Sequence, residues 1–145
     1  MSKTGAINHV ALSVSDYDRG VKFYDFLLQD ILGYDTKIDV KCCMLYMSKQ
    51  AGACICLSEG NQVNHHKLNP GLHHLAFSAA TRELIDDFYL RIVQFQKAEE
   101  NKNIVGLSAI LDEPKDYPQY GKGYYAVFFT DPDGIKLEIA YTPQH

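Results

Sequence analysis

Apolar and polar residues alternate along this chain in short stretches, interrupted by two longer ones in which apolar residues recur at helical spacing. From Ile7 to Ser13, Asn8, Val10 and Leu12 lie opposite His9, Ala11 and Ser13, which is the period of a strand. Ser15 or Asp16 is placed to cap a helix carrying Val21, Tyr24, Leu27, Leu28 and Ile31, and Gly33 is placed to end it. Strand-like runs follow near 35–40, 42–48 and 53–58, so this part reads β-α-β-β-β. Gly60 to Gly71 is polar, with Asn three times and one Pro, and reads as a linker. The order then restarts. Leu72 to Ser78 reads as a strand, and Thr81 can cap a helix presenting Leu84, Ile85, Phe88, Ile92 and Phe95. Glu99 to Asn103 is a charged exit, followed by strand-like runs near 104–111, 124–130 and 135–141. Asp112 to Gly123 reads as a turn-rich loop with lid-like composition.

The last two runs flank Asp131-Pro132-Asp133-Gly134, in which Pro sets φ early and Gly is free to take positive φ late, so they predict a hairpin. In its second strand Ile135, Leu137 and Ile139 share one face, and Lys136, Glu138 and Ala140 the other. His-Val-Ala-Leu-Ser at 9–13 matches His-Leu-Ala-Phe-Ser at 74–78, and Gly52 to Cys56 matches Gly134 to Glu138. The chain is therefore an internal duplication. It predicts one α+β domain over 1–145, built from two tandem βαβββ modules at about 6–60 and 72–142 with a linker at about 60–71. Each helix covers one face of its sheet. The opposite faces are expected to form a curved mixed sheet, a half-barrel around a central cavity.

Composition narrows the partners. A net charge of −4 with no Lys/Arg cluster gives no phosphate track for nucleic acid. No apolar run approaches the roughly 20 residues that span a bilayer. The opening Met-Ser-Lys-Thr-Gly lacks the apolar core of a signal peptide, so a cytoplasmic location is the expectation. Cys42, Cys43, Cys54 and Cys56 do not follow the paired C-x-x-C spacing of a structural zinc site and read as buried strand thiols.

Strand parity singles out candidate chemistry. If Val10, Leu12, Leu75 and Phe77 face their helices, then His9 and His74 face the cavity, His73 does not, and Glu138 joins them by the same rule. Two imidazoles and one carboxylate at duplicated positions make a ligand set for a divalent transition metal with positions left open. Zn, Ni, Co, Mn and Fe all accept such N/O ligands. The remaining wall, by parity, includes Met44, Tyr46, Cys56, Tyr124, Ala126 and Phe128, an apolar and aromatic lining suited to a small organic substrate. Tyr117, Tyr120 and Tyr124 flank Gly121-Lys122-Gly123 and are either gating or surface aromatics.

From about residue 6 to 142 the sequence resembles the vicinal oxygen chelate superfamily of glyoxalases, fosfomycin-resistance thiol transferases, extradiol dioxygenases and bleomycin-resistance proteins. The resemblance is carried by Asn8-His-Val-Ala-Leu, His74-Leu-Ala-Phe and Asp131-Pro-Asp-Gly-Ile-Lys-Leu-Glu138. It implies that His9, His74 and Glu138 are metal ligands, that Glu138 doubles as a catalytic base, and that the protein is a homodimer, the small members being dimers whose sites can combine residues of both chains. It also implies a lyase or isomerase, with the metal as Lewis acid for a substrate that chelates through vicinal oxygens. Where glyoxalase I has a second Glu, this chain has Cys56, either a fourth ligand or a wall residue, and without that Glu one base must make both proton transfers. Fosfomycin-type transferases share a Cys there. Their phosphonate-binding Ser and Tyr, however, are matched by Ala126 and Phe128, and their C-terminal Arg is missing, so that substrate is not expected. Extradiol dioxygenases add catalytic His residues for which only the linker pair His65 and His66 is on offer, and these read as surface groups. Two further readings stay open: a drug-sequestering binding protein, and a member that kept the ligands and lost the chemistry.

Overall fold

The computed structural model describes residues 4–41, 43–50, 54–60, 66–105 and 110–143. Cys42, the Gly52-Ala53 step of the repeat, His65 and residues 106–109 lie outside them. The chain divides into two compact units, Met1–Val63 and Asn64–His145.

In the first unit, β1 (His9–Val14), β2 (Thr36–Asp39), β3 (Met44–Met47) and β4 (Cys54–Glu59) form one sheet in the order β1-β4-β3-β2. β1 runs parallel to β4 and the other pairs are antiparallel. The parallel pair requires a crossover, and the helical segment supplies it. α1 (Tyr17–Tyr24) begins at Asp16, whose carboxylate accepts the Arg19 amide at 2.9 Å and so satisfies one of the donors a helix start leaves over. Gly20 lets this helix close on the sheet, because a Cβ there would stand 2.9 Å from Val14 Cγ2. The predicted helix does not continue as one α-helix. It passes into a π-helical segment, Asp25–Ile31, where Phe26, Leu27 and Leu28 are all buried. On an α-helix three consecutive residues subtend about 200°, so burying all three requires cover from more than one side.

The second unit repeats the plan. β5 (Leu75–Ser78), β6 (Ile110–Asp116), β7 (Tyr125–Thr130) and β8 (Lys136–Tyr141) lie in the order β5-β8-β7-β6, again with the first strand parallel to the last. The duplication read from the sequence is thus a duplicated topology, two four-stranded mixed sheets in an α+β fold. α2 (Arg82–Lys97) is capped by Thr81, whose hydroxyl accepts the Leu84 amide at 3.2 Å, and it buries Ile85, Phe88 and Ile92. Phe88 meets Phe129 of β7 with ring centroids 4.7 Å apart.

One stretch differs from its expectation. Where a strand was expected from 104, Lys102–Val105 is a short helix, α3, after a 3-10 turn at Glu99–Asn101. β6 starts at Ile110 and runs to Asp116, through the first part of the expected loop. Pro114 makes this stretch read as a loop. It is tolerated because β6 is an edge strand whose register to β7 slips between Asp112 and Lys115, where a missing N–H costs no ladder bond.

The closing hairpin follows its turn chemistry. The Gly134 amide donates to Asp131 O at 3.1 Å, and Gly134 takes φ 82, as the bulge residue of such a loop must. The fully buried Asp131 carboxylate accepts the Asp133 and Ile135 amides at 2.9 and 2.8 Å. This sets the start of β8, and with it the face on which Glu138 emerges.

Candidate functional site

In the first sheet, Leu12 and Val14 are buried toward α1, while His9, Ala11 and Ser13 emerge on the other face. Cross-strand partners share a face, so the register assigns the rest. His9 lies beside Cys54, Ala11 beside Cys56, and Leu45 beside Cys56. This face bounds a concavity of about 620 Å³ lined by Asn8, His9, Cys43, Leu45, Met47, Ser48, Cys54 and Cys56.

Two expected wall residues belong elsewhere. Met44 pairs with Leu57 and Tyr46 with Ile55, all four being buried on the helix side. Tyr46 is completely buried there, its hydroxyl donating to Asp25 at 2.8 Å at the end of α1. Burial, and then that bond, drives its pKa upward. Leu45 and Met47 take the cavity positions expected of Met44 and Tyr46. Cys56 does line the concavity, 8% exposed, its thiol outside any disulfide. Burial pushes the Cys54 thiol up.

His9 is oriented by the residue before it. Its Nδ1 lies 2.9 Å from Asn8 Oδ1, which only accepts, so the ring proton belongs on Nδ1 and Nε2 keeps its lone pair.

The second module builds its face in the same way. Glu138 on β8 pairs with Ala76 on one side and Phe128 on the other, and Ala126 pairs with Ala140. Phe128, Ala126, Ala140 and Tyr117 form a buried cluster with Tyr124 packed against it. Tyr124, Ala126 and Phe128 therefore share the Glu138 face. Opposite, Val127 and Phe129 are buried on the side that meets α2.

Glu138 is 3% exposed. Tyr124 donates its hydroxyl to Oε1 at 2.5 Å, and His74 Nε2 lies 3.3 Å from Oε2. Burial and the bond to Glu138 push the Tyr124 phenol upward. His74 stands one residue before β5, its ring edge toward Phe128 at 6.4 Å between centroids. Its Nδ1 is 2.8 Å from Nδ1 of His73, so one ring donates to the other. When His74 is the donor, its Nε2 keeps a lone pair on the Glu138 side. His73 touches the His74 ring, with centroids 5.0 Å apart.

The two halves thus present matching sets. Cys56 occupies in the first sheet the position Glu138 occupies in the second, each beside an Ala of the leading strand. Each candidate imidazole has Nδ1 held by the preceding residue. Among the described residues of neither unit do three or more His, Cys, Asp or Glu residues gather at metal-holding distance. The second unit holds His74 beside Glu138, and His9 lies in the first. The donor chemistry suits a divalent metal. A carboxylate this buried needs a cation or several donors, and one carboxylate oxygen faces an imidazole nitrogen while the other is fixed by Tyr124.

Other expectations resolve locally. Tyr117 is buried and donates to Asp112 at 2.5 Å, so it is wall rather than gate. Tyr120 stacks on Tyr117 and remains 61% exposed. His66 is exposed and accepts the Leu68 amide at 3.3 Å. Lys136 shares parity with Glu138 on β8. Its ammonium lies 4.5 Å from the Phe128 ring centroid, on the Glu138 face.

Comparison with known proteins gives a consistent result. Residues 6–139 match the Glyoxalase/Bleomycin resistance protein/Dioxygenase superfamily. The metallothiol transferase FosB of Staphylococcus epidermidis is 26% identical over 92% of this chain and 80% of its own length. A glyoxalase/bleomycin resistance protein from Albidiferax ferrireducens superposes with a TM-score of 0.70 at 23% identity, covering 94% of this chain and 98% of its own. A lactoylglutathione lyase from Agrobacterium tumefaciens gives 0.60 at 21%, covering 94% and 93%. These two structures establish a likeness of fold.

Proposed function

Because this chain belongs to the Glyoxalase/Bleomycin resistance protein/Dioxygenase superfamily, we propose that it is a metal-dependent enzyme of glyoxalase type, a lyase or isomerase. Its substrate is a small molecule that chelates one divalent metal through vicinal oxygens. His74 and Glu138 hold the metal together with His9, which comes from the same chain or from a second copy in a homodimer. The observation that carries this reading is the buried Glu138 carboxylate with His74 Nε2 at 3.3 Å and no cationic side chain paired with it among the described residues beyond that imidazole.

A divalent ion there supplies Lewis acidity, polarising the substrate oxygens and stabilising the charge that develops on them. The chain's own residues do the rest. Asn8 fixes the tautomer of His9, and His73 holds the His74 ring at Nδ1. Tyr124 holds one Glu138 oxygen, so only the other is free to bind or to take a proton from the substrate carbon. Phe128, Ala126 and Tyr124 make an apolar wall that keeps water from competing for that proton. Cys56 is a wall residue of the first module.

A second reading, metal-dependent thiol transfer, is favoured by the relatives named metallothiol transferase. Both readings predict about one metal per chain, lost in His74→Ala and Glu138→Gln and weakened in His9→Ala. Unchanged metal content in all three would overturn both in favour of a non-catalytic binding protein. Isomerisation of a thiol–oxoaldehyde adduct, against thiol addition to an electrophile, then separates lyase from transferase.

A further inference from the structure

We propose that Lys136 is the anchor for an anionic group of the substrate, which makes the substrate an oxo- or hydroxy-acid, or an adduct bearing an equivalent anion beside its chelating oxygens. This rests on the metal reading of His74 and Glu138 given above. Lys136 lies two residues before Glu138 on β8, so both side chains leave the same face about 6.6 Å apart along the strand. That face is secured independently. The Lys136 ammonium lies 4.5 Å from the ring centroid of Phe128, and Phe128 is the cross-strand partner of Glu138.

Among the described residues the ammonium has no carboxylate partner. Asp112, whose carboxyl is held low first by Lys115 and Tyr117 and only weakly by Lys136, already accepts from both of those groups, at 2.8 and 2.5 Å. A cation stacked on an aromatic ring, beside a buried donor pair and without its own counter-ion, is placed to receive one from a ligand. Chelation by the metal and a charge-assisted bond to Lys136 would fix the substrate at two points, which sets its orientation as well as its affinity.

The test uses the full chain loaded with Co(II), with glycolate and its uncharged amide, glycolamide, as probes. Dissociation constants come from the cobalt absorption spectrum and from calorimetry. Lys136→Met keeps the aliphatic stem over Phe128 and removes the charge, whereas Lys136→Arg keeps the charge. The preference for glycolate over glycolamide is expected to fall about tenfold in Lys136→Met, from the loss of one charge-assisted bond, and to survive in Lys136→Arg, with Co(II) affinity unchanged in both. An undiminished preference in Lys136→Met overturns the assignment while leaving the metal site intact. If the wild-type chain takes up no Co(II), the metal reading fails. The anchor is then decided on the metal-free chain by the Lys136 side-chain nitrogen resonance. A shift with glycolate and none with glycolamide supports it, and no shift with either overturns it.

Discussion

Tyr124→Phe deletes one oxygen and leaves the ring in place, so it isolates the bond on which the geometry of Glu138 depends. In the native chain that hydroxyl donates at 2.5 Å to a carboxylate 3% exposed to solvent. A hydrogen bond to a charged group contributes about 1.5–3 kcal/mol, and a buried acceptor left unpaired forfeits that amount with no water to replace the donor. The metal-free variant is therefore expected to be about 2 kcal/mol less stable. For a chain of this size that lowers Tm by roughly 4–8 °C. A second consequence concerns the metal. Removing a group that orients a ligand costs about 10–100-fold in affinity, so competition calorimetry with a chelator should show a loss in that range. Tyr120→Phe is the control: its ring is 61% exposed, and its effect on stability should stay within about 0.5 kcal/mol. A Tyr124→Phe chain that melts like the parent and binds metal equally well refutes the assignment of Glu138 as a buried, Tyr-oriented ligand. A stability loss with unchanged metal affinity refutes only the metal half of the reasoning.

Tyr46→Phe removes the bond to Asp25 and should cost about 1–3 kcal/mol by denaturant titration while leaving metal affinity unchanged, since Tyr46 packs on the helix side. Asp131→Ala strips the acceptor from two hairpin amides. A loss above about 2 kcal/mol is expected, and denaturation midpoints close to those of the parent would sink the claim that this carboxylate builds the turn. Alkaline pH gives a signed test. The Asp86 bond and burial push Tyr125 from 10.0 up to about 12. Its contribution is complete below pH 10, where the unfolded phenol is still protonated, and is lost as pH climbs toward 12. Stability measured at intervals from pH 9 to 12 should fall less steeply in Tyr125→Phe than in the parent.

What the sequence by itself determined is whatever depends on local period and local bonding. The caps at Asp16 and Thr81, the turn at Asp131 to Gly134 and the alternation in β1 and β8 are each decided within a few residues. The parity of His9, Glu138 and Lys136 was legible for the same reason, as was the repeat, because two copies of one strand order leave matching strings. The facing of β3 was not. Met44, Leu45, Tyr46 and Met47 are all apolar, so a period of two carries no information there. Only pairing with β4, which sets Tyr46 beside Ile55 and Leu45 beside Cys56, decides which side each residue takes. β6 was hidden by Pro114, because a proline reads as a strand only once its place at a sheet edge is known. The bond from Tyr124 to Glu138 likewise belongs to tertiary structure. It depends on where the backbone turns and on which strand lies beside it, and it is not encoded in the two residues that make the contact.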